Sequence, residues 1–201
     1  MAGALKIEGF DIHKGLIPPA EQRAMAGDIF EVIAQAPLFS PQTRWGKRMS
    51  VRMTSAGRYG WYSDRAGYRY IETHPDGGPW PPIPRSVLSV WKALVGGARE
   101  PDCCLINCYG ENARMGLHQD RDEADFAWPV LSISLGDTCI FRMGGTRRQD
   151  PTTSMPLESG DVVVIGGAAR LAFHGVDRIR FGSSRLLPGG GRINLTLRVV
   201  D

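Results

Sequence analysis

The hydrophobic positions change their period near residue 100. Before it, two stretches repeat every three to four residues. Met25, Ile29, Val32, Ile33 and Ala36 share one face of a helix predicted over 18–36. Pro18 and Pro19 open this helix, Glu21 sits in its first turn, and Pro37 stops it. Val87, Val90, Trp91, Leu94 and Val95 mark a second helix over 85–98, preceded by Pro84 and weakened at its end by Gly96 and Gly97. From Asp102 onward the period drops to two. Strands are predicted over 104–109, 130–136, 138–142, 161–166, 171–174 and 193–199, with turn residues between them. Many short strands separated by turns point to a sandwich or jelly roll. The expected class is therefore α+β, mainly β.

Composition supports that class and narrows the setting. Glycine (25) and proline (14) are frequent for a helical bundle, and 201 residues are enough for one domain with a substantial core. There is no apolar run of about 18 residues, which excludes a membrane-spanning helix. The N-terminus has no basic segment followed by an apolar stretch, so no secretory signal is expected. Cys103, Cys104, Cys108 and Cys139 lack zinc-finger spacing and read as packing thiols in a reducing compartment. A cytoplasmic location and no membrane partner are expected.

Charge is unevenly placed. The whole chain carries +3, but residues 41–72 hold Arg44, Lys47, Arg48, Arg52, Arg58, Arg65 and Arg69 against only Asp64 and Glu72. Six aromatic residues fall in the same stretch: Trp45, Tyr59, Trp61, Tyr62, Tyr68 and Tyr70. Cations interleaved with rings suit a single-stranded or flipped nucleotide, the cations meeting phosphates and the rings stacking on bases. An ordinary solvated hairpin whose rings cover a core has the same composition. Of the 24 basic residues only four are lysine. That bias fits either forked recognition of anions or a GC-rich genome, and composition leaves both open.

The chemistry is concentrated in a few positions. His118 and Asp120 are two apart, so in an extended segment they share a face, and His174 follows 54 residues later near another strand. Two imidazoles and one carboxylate on a β scaffold match the facial triad of non-haem Fe(II) oxygenases, which leaves three coordination positions open. Alone, an H-x-D with a distant histidine is a weak signal. The last strand strengthens it. Arg192, Asn194, Thr196 and Arg198 lie on one face and Ile193, Leu195 and Leu197 on the other. Two arginines facing a core are costly unless an anion sits between them, and a dicarboxylate fits. A solvated edge strand is the alternative reading of that segment.

Within a likeness that runs over about residues 49–199, six motifs occur in order: Leu105-Ile-Asn-Cys-Tyr109, His118-Gln-Asp-Arg-Asp-Glu123, Ser132-Ile-Ser-Leu-Gly136, Gly160-Asp-Val-Val-Val164, Arg170-Leu-Ala-Phe-His-Gly175 and Arg192-Ile-Asn-Leu-Thr-Leu-Arg198. Together they resemble the AlkB family of Fe(II)/2-oxoglutarate dioxygenases, whose bacterial members repair nucleic acid. The resemblance implies a double-stranded β-helix (jelly roll) core over 85–201. It also implies N-terminal helices and a nucleotide-recognition lid over 1–84 that does not fold alone. It implies Fe(II) held by His118, Asp120 and His174, with O2 and 2-oxoglutarate as co-substrates. Arg192 would take the remote carboxylate of 2-oxoglutarate, supported by Asn107 and Tyr109. Asn194 would also contact the co-substrate, and Arg198 would face its carboxylate nearest the metal. On the substrate side the resemblance implies Met53, Trp61, Tyr68 and Arg148, with Trp61 stacking on the base opposite His118 and Tyr68 on the phosphate. Asp122 and Glu123 are candidates for reading a cationic methylated base, because a carboxylate in a low-dielectric pocket favours it over a neutral one. The implied activity is DNA repair by oxidative demethylation of N1-methyladenine and N3-methylcytosine, releasing formaldehyde, succinate and CO2. The implied partner is single-stranded and duplex DNA bound by a monomer, with RNA or another alkylated substrate as the alternative. Residues 181–191 depart from the family pattern.

Overall fold

The computed structural model describes residues 3–43 and 45–201, so Arg44 lies outside the described residues. Chain order runs β1 (Leu5–Ile7), β2 (Phe10–His13), α1 (Pro19–Gln35), β3 (Arg52–Gly57), β4 (Gly60–Asp64), β5 (Gly67–Ile71), α2 (Arg85–Leu94), β6 (Cys103–Tyr109) and β7 (Met115–His118). It continues β8 (Val130–Gly136), β9 (Cys139–Met143), β10 (Thr153–Leu157), β11 (Val162–Ile165), β12 (His174–Ile179) and β13 (Arg192–Arg198). Two antiparallel sheets make a jelly roll. The major sheet has the order β1-β2-β11-β8-β13-β6-β3 and the minor sheet β10-β9-β12-β7. β4 and β5 pair only with each other, as a hairpin.

Period-two patterning places the layers. The odd-numbered face of β13 (Ile193, Leu195, Leu197) and matching positions of β8 (Leu131, Ile133, Leu135) pack under α1 and α2 through Met25, Ile29, Val32, Val87 and Trp91. Each such side chain contributes roughly 1.5–3 kcal/mol when removed from water. The opposite face of the major sheet meets the minor sheet. There Phe10, Ile12, Met53, Leu105 and Val163 meet Phe141, Met143, Val176 and Ile179. β13 is buried along its whole length, so its polar face lines the interior and the strand is not a solvated edge. No helix among the described residues is long and apolar enough to cross a membrane.

Two sequence expectations change. Residues 171–173 are not a strand. A 3-10 turn at Gly167–Ala169 precedes them, closed by Ala169 N–H to Gly166 O and Ala172 N–H to Ala169 O, and β12 begins only at His174. The local bonds of that turn satisfy the backbone in place of a ladder. The segment expected as helix and lid over 1–84 also carries strands of the major sheet. β1 and β2 extend the major sheet beside β11, and β3 pairs with β6, so the N-terminal segment builds the same sheet as the C-terminal strands. Among the described strands, only β4 and β5 lie outside both large sheets.

Candidate active site

The site forms where β7 and β12 run side by side. His174 pairs with His118 in the ladder, and their rings lie 4.5 Å apart. Gly175 makes this approach possible, because a Cβ there would stand 2.7 Å from the Met115 carbonyl oxygen. Asp120 lies two residues past His118, beyond the strand end. Its Oδ1 is 3.9 Å from His118 Nε2 and its Oδ2 is 3.5 Å from His174 Nε2. Among the described residues, these three form the one cluster of metal-ligating side chains with converging donor atoms.

Hydrogen bonding fixes the donors. His118 Nδ1 donates to Gly116 O (2.9 Å) and His174 Nδ1 to Ala172 O (3.0 Å). A carbonyl can only accept, so each Nδ1 carries a proton and Nε2 is the nitrogen left facing Asp120. The cavity walls, and then the neighbouring His174, lower the His118 pKa and so favour the neutral imidazole. Burial alone would raise the Asp120 carboxyl. Arg198 and the two imidazoles outweigh it and hold the group well below the usual carboxylate range. Asp120 Oδ2 is buried with no hydrogen-bond partner, as a ligand oxygen would be. The residues present therefore fit a divalent metal.

β13 supplies the second half of the site. Arg192 is 2% exposed, and Nη2 donates to Ser134 Oγ (3.0 Å), while Nε and Nη1 have no partner. No carboxylate among the described residues pairs with it. A buried guanidinium left this way costs several kcal/mol, and an incoming carboxylate removes that cost. Asn107, opposite Asn194 on β6, also holds an unpartnered Oδ1. Tyr109 lies under the Arg192 guanidinium, its centroid 5.3 Å from Cζ, and burial pushes its pKa up to about 12. Asn194 donates to Ser132 Oγ (2.7 Å) and accepts from Thr196 Oγ1 (3.1 Å). Arg198 donates from Nη2 to Asp120 Oδ1 (2.7 Å). This donor set fits an acidic co-substrate as well as the triad fits a metal.

All of these side chains line one cavity of about 620 Å³. Met53, Trp61, Tyr68, Asp122 and Arg148 line it too. Trp61 and Tyr68 are stacked (centroids 5.4 Å, interplanar angle 27°). Trp61 Nε1 donates to Asp122 Oδ2 (3.2 Å), and Arg148 Nη1 donates to Leu117 O (3.0 Å). Glu123 is the exception, placed by sequence on the substrate side. Its side chain is buried behind the cavity wall, paired with Arg170 and Arg198 (3.0 and 3.3 Å), because two guanidiniums draw it inward. Neighbours in an extended run point to opposite sides, which is the signal that could have separated it from Asp122. Sequence reasoning also gave no role to Arg170. It clamps the segment after the triad by donating to Asp120 O (2.6 Å) and Trp128 O (2.8 Å).

Two imidazoles and a carboxylate on one side leave three adjacent positions around a metal free, and Arg192 awaits an anion in the same cavity. Fold and site together define a non-haem iron oxygenase that uses an acidic co-substrate. The family model described as the 2OG-Fe(II) oxygenase superfamily matches residues 9–198. The chain belongs to that superfamily, and within it to the AlkB family of α-ketoglutarate-dependent dioxygenases. It is 56% identical over 193 residues to an AlkB homolog of Caulobacter vibrioides (strain NA1000 / CB15N), covering 96% of this chain and 88% of that one. It is 42% identical over 202 residues to AlkB of Escherichia coli (strain K12), covering 98% and 90%. The solved structure of OsALKBH1 superposes with a TM-score of 0.82 at 30% identity, covering 98% of this chain and all of that one. The enzyme is thus a dioxygenase that uses Fe(II), 2-oxoglutarate and O2.

Proposed function

We propose that this enzyme repairs DNA by oxidative demethylation of alkylated bases, with N1-methyladenine and N3-methylcytosine as substrates. The carrying observation is the arrangement of the mouth of the cavity. The stacked rings of Trp61 and Tyr68 and the carboxylate of Asp122 stand there, above His118, Asp120 and His174.

Each group has a task. Trp61 stacks on the flipped base, with the His118 ring on the other face, and Tyr68 (52% exposed) reaches the backbone phosphate. Asp122 is exposed at the rim rather than set in a low-dielectric pocket. It accepts from the exocyclic amino group, and its charge favours a cationic lesion over a neutral base once the bound base excludes water. Methylation blocks pairing, so flipping the lesion costs less than flipping an intact base. Arg148, on the exposed rim, meets the strand. His118, Asp120 and His174 hold iron. Arg192, with Asn107 and Tyr109, takes the remote carboxylate of 2-oxoglutarate. Asn194 supports the co-substrate, and Arg198 faces its other carboxylate. The buried walls keep water from the reacting carbon. When bound, iron with 2-oxoglutarate and O2 supplies oxidation of the N-methyl carbon, which leaves as formaldehyde while 2-oxoglutarate becomes succinate and CO2. The protein acts as a monomer in the cytoplasm, on single-stranded and duplex DNA.

The test is formaldehyde release from N1-methyladenine and N3-methylcytosine in single-stranded DNA, duplex DNA and RNA, with and without Fe(II) and 2-oxoglutarate. Release from both DNA forms that requires both additions is the expected result. Release from RNA alone moves the substrate to RNA, and no release from any of them overturns the reading.

A further inference from the structure

Arg198 is held from two sides. Nη2 reaches Asp120 Oδ1, and Nε lies 3.3 Å from Glu123 Oε1. The second Glu123 oxygen takes Arg170 Nη2 at 3.0 Å, and Arg170 Nη1 in turn donates to the backbone carbonyl of Asp120. Glu123 therefore sits between two buried guanidiniums that both touch the carboxylate ligand, one through its side chain and one through its peptide. A third group closes the set. The Tyr70 hydroxyl, carried on β5, donates at 2.5 Å to Oε1, the same oxygen that faces Arg198. The β4–β5 hairpin belongs to neither large sheet. Gln42 N–H to Ser63 O and Trp80 Nε1–H to Ile71 O tie it to the body, and Tyr70 adds the bond that reaches the segment past Asp120.

We propose that Glu123 and Tyr70 are positioning residues for the co-substrate end of the site. Glu123 fixes Arg198 against Asp120 and aims its remaining N–H groups at the co-substrate carboxylate. Tyr70 stops the Glu123 carboxylate from rotating away, and it does so only while the hairpin is docked. An undocked hairpin admits water, and the Arg198–Glu123 attraction weakens as the local dielectric rises. Docking of the lid is thereby felt at the carboxylate ligand, through two side chains that touch neither base nor metal. The inference rests on the family chemistry and not on the choice of nucleic acid.

The experiment uses no nucleic acid, so it is independent of the substrate reading. 2-Oxoglutarate is titrated by calorimetry into oxygen-free, Mn(II)-loaded protein, and amide exchange over residues 60–71 is followed in the metal-free protein. Tyr70→Phe keeps the ring and removes one donor. It should weaken 2-oxoglutarate binding about tenfold and speed exchange over 60–71 by a similar factor, with little change in melting temperature. Glu123→Gln should weaken binding further, and Glu123→Asp should regain part of the loss. If Glu123→Gln fails to fold, Tyr70→Phe alone decides. Wild-type co-substrate affinity in Tyr70→Phe overturns the proposal, even if exchange in the hairpin quickens, because the bond would then serve only to anchor the lid.

Discussion

Trp61 and Tyr70 stand directly opposite each other in the β4–β5 ladder, and each donates to one of two neighbouring acids. Trp61 Nε1 reaches Asp122 Oδ2 and Tyr70 OH reaches Glu123 Oε1. One cross-strand pair therefore fastens the lid to the segment just past the carboxylate ligand. The two bonds differ in setting. The first is exposed at the rim, where water competes and a hydrogen bond contributes little. The second is part-buried and ends on the buried Glu123, where leaving that carboxylate short of a partner costs about 1–3 kcal/mol.

That difference predicts how Trp61 variants behave. Trp61→Ala removes the stacking ring and should raise the KM for a methylated oligonucleotide about tenfold or more, from roughly 1–3 kcal/mol of stacking. 2-Oxoglutarate turnover without nucleic acid should stay near wild type. Trp61→Phe keeps a ring and loses only the exposed N–H bond, so its KM should stay within about threefold. Steady-state formaldehyde assays check both, and an unchanged KM in Trp61→Ala would remove the stacking role.

Arg192 gives a prediction of opposite sign for stability and binding. Two of its guanidinium nitrogens are buried without partners. Arg192→Met removes that desolvated charge and should leave the melting temperature of the metal-free protein equal or higher. The same variant should abolish the stabilisation that 2-oxoglutarate gives the Mn(II)-loaded protein. Arg192→Lys should not rescue it, because an ammonium lacks the planar fork. Thermal melts with and without the co-substrate separate the two effects. Full stabilisation by 2-oxoglutarate in Arg192→Met would show that the carboxylate binds elsewhere.

Asp120 and His118 should part company in the metal-free protein. Both His118→Ala and Asp120→Ala should lose the Mn(II)-induced rise in melting temperature. His118 is part-exposed (39%), so its loss should cost at most about 1 kcal/mol of stability. Asp120→Ala leaves Arg198 buried with only Glu123 beside it, at a cost of about 3 kcal/mol. The pH dependence follows from the depressed carboxyl of Asp120. A group whose pKa falls on folding contributes fully above its unfolded value and loses that contribution as pH drops through the folded one. The gap between wild type and Asp120→Ala should hold from pH 7 to about 5 and close only below about pH 4. Urea unfolding at a series of pH values measures it, and a gap that closes near pH 6 contradicts the assignment.

The site was more legible in the sequence than the lid was. Arg192, Asn194, Thr196 and Arg198 could be placed on one face because a strand alternates without exception, and β13 is regular from end to end. The hairpin could not be read as strands. β4 mixes buried and part-exposed residues out of step with alternation, and β5 has no buried residue, so no period emerges from them. β7 is four residues long, too short to show one. The inward pairing of Glu123 is not legible locally, because its two arginine partners lie 47 and 75 positions away in the chain. Asp137 follows Gly136 between two strands, where sequence alone suggests a turn residue. It is buried, and it accepts from the N–H groups of Gly182, Ser184 and Gly191. That bonding orders the loop which departs from the family pattern, and nothing local in the sequence announces a partner so distant.

Gly175 allows the geometry of the triad to be tested without touching a ligand. A Cβ at this position would lie 2.7 Å from Met115 O and 3.0 Å from both the carbonyl carbon and oxygen of Gly116. All three atoms are backbone in the neighbouring strand, so no side chain can rotate out of the way. Gly175→Ala must push β12 away from β7 at the step where His174 faces His118. The strain should cost about 1–3 kcal/mol, and the wider spacing should weaken Mn(II) binding tenfold or more while both imidazoles remain. Gly189→Ala is the matched control. A Cβ there meets nothing within 4 Å, so stability should move by less than about 0.5 kcal/mol and metal affinity should not move. Calorimetric Mn(II) titration and urea unfolding of the two variants decide the matter. Wild-type affinity in Gly175→Ala would mean that the histidines reach the metal without the close approach of the two strands.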